Sequence, residues 1–236
     1  MVMPLANRDS KAQTNHVSLL DMIGPVMVGP SSSHTAGACR LAFLALHTLE
    51  EPPKRVEFGL HGSFAKTGHG HGTHLALAAG VLGMKPDDPR LPQALELAKS
   101  QGMGIEFKNL ELGDVHPNTV RITLENHSER VQVTGSSLGG GVVKIWNIEG
   151  FEVRVTGSAP TLLIRNVDTP GVIARVARVI ADDEVNIAYL SCARQKRGEE
   201  AMMSIEIDKP LSEISLKYLA SLHYILWVRL LPQVMD

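Results

Sequence analysis

Gly29-Pro30-Ser31-Ser32-Ser33-His34-Thr35-Ala36-Gly37-Ala38 is the stretch around which the chain is organised. An apolar run, Met22-Ile23-Gly24-Pro25-Val26-Met27-Val28, leads into it. A helix-forming run, Ala38-Cys39-Arg40-Leu41-Ala42-Phe43-Leu44-Ala45-Leu46-His47, leaves it and is stopped near Leu49 by Glu51-Pro52-Pro53. Serine and threonine cap helix N-termini because their oxygens accept from the free N–H groups of the first turn. Those N–H groups and the helix dipole also favour an anion. Two readings fit: a plain capped helix after a Gly-Pro turn, and a polar pocket for a small anion. Three serines and a threonine exceed what one cap needs, which favours the pocket.

The same grammar recurs downstream. Arg55 to Gly62 alternates as a strand does, then enters a second polar loop, Ser63-Phe64-Ala65-Lys66-Thr67-Gly68-His69-Gly70-His71-Gly72-Thr73-His74. A helix, Leu75 to Gly83, follows, and both polar loops are placed to open on one pocket. Leu91 to Ala98 reads as a Pro-started helix. Ile105 to Phe107, Thr119 to Leu124 and Arg130 to Gly135 read as strands of an antiparallel sheet. Ser136-Ser137-Leu138-Gly139-Gly140-Gly141 makes a third glycine loop, and Val142–Ile148 with Phe151–Val155 forms a hairpin about Glu149-Gly150.

The organisation is then a polar tail (1–15), a first domain (16–156) opening with an amphipathic stretch to Ile23, a linker (157–160) and a second domain (161–236). In the last the pattern changes: strand Thr161 to Asn166, turn to Gly171, and helix Val172 to Asp182 with Ile173, Val176, Ala177 and Ile180 on one face. Strands Ile187 to Ala193 and Ala201 to Ile207, helix Pro210 to Leu222 and strand Tyr224 to Leu230 complete βαββαβ, the ferredoxin-like order. The fold class is α+β, a mixed α/β domain followed by a ferredoxin-like one.

The formal net charge of −2 gives no electrostatic reason to expect nucleic acid or an anionic membrane as partner. No apolar run is long enough to span a bilayer. Met1 to Ser10 lacks the apolar core of a signal peptide. Cys39 and Cys192, far apart and each in an apolar pattern, fit a reducing compartment, so the expected location is cytoplasmic.

Asn166-Val167-Asp168-Thr169-Pro170-Gly171-Val172-Ile173 and Asp183-Glu184-Val185-Asn186-Ile187 make residues 161–236 similar to an ACT domain, a small-molecule sensing module. That resemblance implies side-by-side homodimers and an amino-acid effector near Asp168, Pro170, Gly171, Asn186 and Ile187; these are also ordinary turn residues. Residues 16–156 resemble the beta chain of iron–sulfur-dependent L-serine dehydratase, on three motifs: Ile23-Gly24-Pro25 through Gly37, Gly62 through Thr73, and Ser137-Leu138-Gly139-Gly140-Gly141. This resemblance implies a first domain like the allosteric substrate-binding domain of phosphoglycerate dehydrogenase. It also implies elimination of water from L-serine by a 4Fe–4S cluster held by cysteines of a separate alpha chain, giving pyruvate and ammonia. Two cysteines in this chain cannot supply a four-cysteine site. The family pattern departs here at two places, with His74 where Asp is usual and His69 where Lys is frequent.

For such chemistry the candidate catalytic residues are His34 and His71, since imidazole titrates near working pH. Ser31, Ser32, Ser33, Thr35, Ser63, Thr67, Gly68 and Thr73 are the candidate substrate-binding residues, with Gly139, Gly140 and Gly141 allowing close backbone approach. The same groups equally suit a regulatory serine site. No metal site is expected at His69-Gly70-His71-Gly72-Thr73-His74, which has no adjacent carboxylate or cysteine. A serine hydrolase is disfavoured, because Ser33 and His34 are sequence neighbours and no Gly-x-Ser-x-Gly elbow exists.

Overall fold

The computed structural model describes residues 25–235. The tail and the amphipathic stretch to Ile23 lie outside the described residues. The Ser31–Ala38 segment is not the start of a plain α-helix: Ser32–Gly37 winds as a π-helical turn that passes directly into α1 (Ala38–Leu46). The helix stops at Leu46, short of Leu49, because His47 and Thr48 turn back, their N–H groups bonding the carbonyls of Leu44 and Ala45.

β1 (Arg55–Leu60) follows, then α2 (Gly62–Thr67), where the sequence reads as loop. Phe64 explains the difference: it is fully buried, and its burial pins one helical turn closed by Thr67 bonding back to the Ser63 carbonyl. α3 (Thr73–Val81) starts two residues earlier than its apolar run suggests. It crosses α1 at Gly80, where a Cβ would fall 2.6 Å from Ala42 Cβ, so the small residues of both helices let the backbones approach. A short 3₁₀ turn (Leu91–Gln93) leads into α4 (Ala94–Ser100).

β2 (Gly104–Asn109) pairs parallel with β1, correcting the all-antiparallel expectation. The helices between the two strands are the crossover that a parallel pair needs. β3 (Thr119–Glu125), β4 (Arg130–Gly139), β5 (Val142–Ile148) and β6 (Phe151–Val155) continue antiparallel, giving a six-stranded sheet in the order β2-β1-β3-β4-β5-β6. Ser136 to Gly139 belong to β4, so the third glycine loop shrinks to Gly140-Gly141, both with left-handed φ. Glu149-Gly150 is the hairpin turn, again with positive φ at both residues. The residues buried from α1, α3 and α4 cover one face of this sheet.

β7 (Thr161–Val167), α5 (Val172–Asp182), β8 (Ile187–Arg194), β9 (Glu200–Ile207), α6 (Glu213–Ser221) and β10 (Ile225–Leu231) form the ferredoxin-like unit. Its sheet order is β10-β7-β9-β8. Leu162, Ile164, Met203 and Ile205 point to α5 and α6, while Leu163, Met202 and Leu231 join the core of the first unit. The central strands β7 and β9 are therefore buried on both faces. Residues 156–160 are tied down: the Gly157 carbonyl accepts from the N–H groups of Val234 and Met235, and Thr156 donates to Glu206. Arg229, on β10, reaches Glu50, Glu129 and the Thr48 carbonyl across the joint.

Candidate functional site

The π-helical turn carries His34 inward. Ser31 caps it, its Oγ accepting from the His34 N–H (3.2 Å) and its carbonyl from the Thr35 N–H (2.8 Å). π-Helical turns are rare and concentrate at functional sites. His34 Nδ1 lies 2.9 Å from Thr73 Oγ1, at the start of α3, and Nε2 lies 3.3 Å from Ser63 Oγ on α2. Ser63 Oγ is 3.2 Å from Thr67 Oγ1, and Thr67 donates to the Ser63 carbonyl (2.9 Å). With a neutral ring, one proton arrangement satisfies all four contacts: Thr73 donates to Nδ1, Nε2–H donates to Ser63, Ser63 to Thr67, and Thr67 to the carbonyl. Burial, followed by the neighbouring His71, favours that neutral ring by holding the His34 pKa below the ordinary imidazole value.

His71 sits beside it, ring centroids 5.0 Å apart. Its Nδ1 lies 3.0 Å from the Thr67 carbonyl, which can only accept, so Nδ1 carries a proton. In the neutral ring Nε2 then holds the lone pair, and no partner for it appears among the described residues. Of the two histidines, His71 is the exposed one with a free basic nitrogen. Its own carbonyl accepts from Thr35 Oγ1 (3.3 Å), which fastens the 68–73 loop to the π-helical turn.

The structure thus brings Ser31, Ser33, His34, Thr35, Ser63, Thr67, His71 and Thr73 together. Ser33 Oγ is 3.4 Å from Ser31 Oγ, and Ser32 shares the same half-buried turn. Thr35 and Thr73 are buried and act as fasteners rather than open ligands. Gly68 is a packing position, since a Cβ there would collide with the Phe64 carbonyl. Behind the turn Ser137 abuts Gly37, while at the strand tip Pro25 abuts Gly141, Arg40 donates to the Gly141 carbonyl (2.8 Å), and a Cβ on Gly139 would meet nothing within 4 Å.

A cleft of about 820 Å³ opens beside α2, lined by His61, Ser63, Lys66, Thr67, Asn109 and Glu111 among others. His61 escaped the sequence reading, although its place at the end of β1, just before the Gly62 turn, was a usable signal. It is buried, and its Nδ1 accepts from the Leu112 N–H (3.2 Å), so its proton sits on Nε2. His69 and His74 stack at 3.9 Å, and His74 also meets Phe107 edge-on. Burial and His69 lower the His74 pKa.

In the second unit, the Asp168 carboxylate accepts from the Gly198 N–H (3.0 Å) and from Arg194 (3.1 Å), and these hold its pKa low. Asn186 donates to Asp208 (3.1 Å). Pro170 and Gly171 are exposed at the head of α5, and Ile187 begins the edge strand β8. Cys39 is buried and its thiol, which donates to the Met84 carbonyl, is pushed up to about 12 by burial. Cys192 is exposed on β8, contrary to its apolar surroundings in sequence, because β8 is an edge strand. Cysteines so placed do not fit cluster ligation.

The serine dehydratase beta chain family matches residues 18–147, and an acetohydroxyacid-synthase small-subunit-like ACT domain matches residues 162–226. A probable L-serine dehydratase beta chain of Bacillus subtilis (strain 168) is 40% identical over 211 residues, 89% of this chain and 96% of that one. The L-serine dehydratase beta chain of Peptoniphilus asaccharolyticus is 45% identical over 202 residues, 85% and 90% of the two chains. A D-3-phosphoglycerate dehydrogenase of Bacillus subtilis is 26% identical over 195 residues, 82% of this chain and 37% of that one. With its mixed α/β first unit and βαββαβ second unit, this chain belongs to the serine dehydratase beta-chain family and carries an ACT-like domain at its C-terminal end.

Proposed function

We propose that this chain is the beta subunit of a cytoplasmic L-serine ammonia-lyase, converting L-serine to pyruvate and ammonia together with an alpha chain that holds a 4Fe–4S cluster. The observation that carries the reading is the convergence of the two family motifs on one hydroxyl–histidine array, His34 with Ser63 and Thr73 and His71 beside it. The hydroxyls of Ser31, Ser32 and Ser33 hold the substrate carboxylate. His71 Nε2, with its Nδ1–H committed to the Thr67 carbonyl, accepts the Cα proton. His34 stays neutral and fixes the relay through Ser63 and Thr67, which keeps the floor of the site uncharged. No step is assigned to this chain's cysteines.

The edge of β8, unpaired among the described residues, suits side-by-side pairing of two ACT units. The Asp168–Gly171 turn is the proposed effector surface; Asn186 and Ile187 lie at the other end of the same sheet, where Ile187 pairs with Ile207 while Val167 pairs with Glu200, and do not join it. Anaerobic purification of the alpha chain with and without this chain, followed by pyruvate formation from L-serine, tests the reading. Activity that requires both chains supports it. Full activity of the alpha chain alone makes this chain a non-catalytic amino-acid sensor instead.

A further inference from the structure

The face of the six-stranded sheet opposite α1, α3 and α4 carries an unusual set of side chains across β3, β4 and β5. Trp146 lies on it half-buried, its Nε1 donating to Ser136 Oγ (3.1 Å); Ser136 is 2.7 Å from Thr119 Oγ1, which donates to the His116 carbonyl (2.6 Å). The ring is therefore fixed by a chain of three hydrogen bonds. At one end of the same face Leu138 and Val142 are 48% and 39% exposed on either side of Gly139–Gly141. Arg40 donates to the Gly141 carbonyl in that tip, and Ser137, next to Leu138 on the strand, packs on Gly37 of the π-helical turn from the helix-covered face.

Two cations complete the patch. Arg121, paired across the sheet with buried Thr134, has an enclosed Nε with no hydrogen-bond partner, and no ion pair to its guanidinium is found among the described residues. Lys144, opposite Ser136, is exposed and also lacks an acidic partner among the described residues. Fixed aromatic, exposed aliphatics and unanswered guanidinium are the composition of an interface core rather than of a solvated sheet.

We propose that this face, Leu138–Val142–Lys144–Trp146–Arg121, docks the alpha chain, through an acidic side chain that answers Arg121 and an apolar surface that covers Trp146. The assignment rests on the two-chain reading above. Charge complementarity calls for an acidic partner. Leu138 is one residue from Ser137, which packs on Gly37 at the end of the turn that carries His34, and this nearness favours the chain that shares the reaction over a second copy of this one.

The test measures binding of the full-length chain to the purified alpha chain, for wild type, Arg121→Glu, and Leu138→Asp with Val142→Asp. Each variant is expected to weaken the complex at least about thirtyfold, as loss of an interface anchor does. Hydroxyl-radical footprinting of the wild-type complex gives a second readout independent of variant folding, with Trp146 and Leu138 protected. A wild-type complex that forms and is active while the variants bind equally well and Trp146 stays reactive overturns this inference alone. Failure of the wild-type chains to associate at all overturns the two-chain reading with it. Protection of Trp146 in the isolated chain at concentrations where it self-associates, abolished by Arg121→Glu without effect on alpha binding, assigns the face to a second copy and also overturns the inference.

Discussion

Gly37→Ala probes how tightly the π-helical turn is seated on the sheet. A Cβ built on Gly37 overlaps Ser137 Oγ and lies 2.7 Å from Ser137 Cβ. Ordinary carbon contacts begin near 3.5 Å, so the turn must retreat by about 0.8 Å. Neither neighbour yields easily, because Ser137 is fully buried within β4 and Gly37 runs directly into α1. Overpacking of this kind costs about 1–3 kcal/mol, or roughly 2–12 °C in Tm for a chain of this size. Both offending atoms belong to Ser137, so Ser137→Gly in the same molecule should recover most of the loss. Ser137→Ala alone should be close to neutral, since its hydroxyl is buried with no partner among the described residues. Urea unfolding of the four molecules of the Gly37→Ala, Ser137→Gly cycle measures the coupling, expected to exceed about 1 kcal/mol. Additivity within about 0.3 kcal/mol refutes the packing argument.

Three further outcomes follow from the same geometry. His34 and His74 both have folded pKa values below the ordinary imidazole value of about 6.5, so the unfolded chain binds those protons more readily. Their contribution to stability is complete above about pH 6.5 and is lost as pH falls through their folded values; His74→Asn should flatten that slope, and an unchanged slope counts against the assignment. Arg229→Met should cost about 1–3 kcal/mol, because the guanidinium is only 10% exposed and serves Glu129 and the Thr48 carbonyl. Glu50→Gln, on a side chain 75% exposed, should cost less than about 1 kcal/mol in the same urea series, and equal losses contradict the picture of a buried clasp. Alkylation at pH 8 should label Cys192 and spare Cys39, whose buried thiol is pushed up to about 12. Comparable labelling of both in the folded chain would be inconsistent with that burial.

Much of the fold was legible because it rests on local pattern. The alternation of Val142–Ile148 and Phe151–Val155 and the Glu149-Gly150 turn each carry their own signal, and the periodicity of Val172–Asp182 gives the helix but not its face: Val172, Val176, Val179 and Ile180 are buried while Ile173 is 46% exposed. What was not legible depended on partners distant in sequence. Ser63–Thr67 reads as a polar loop until Phe64 finds the core, and Ser136–Gly139 reads as a glycine loop until β3 and β5 pair with it. The direction of β2 is set by the crossover helices, not by its own residues. The site was half legible in the same sense. The hydroxyls and histidines of the two loops stand out by composition, but nothing local says that Thr35 and Thr73 face inward while His71 faces out. Arg40 beneath the glycine tip has no local signal either, whereas His61 in the cleft wall was signalled only by its place just before the Gly62 turn.

The central claim is that the hydroxyl–histidine array serves the reaction itself, and His71→Asn in the reconstituted two-chain enzyme tests it most directly. Asparagine keeps a donor for the Thr67 carbonyl while removing the basic nitrogen. The account predicts that kcat for pyruvate formation from L-serine falls at least about a hundredfold, with the two chains still associated and KM changed far less. A kcat equal to that of the wild-type enzyme would contradict it.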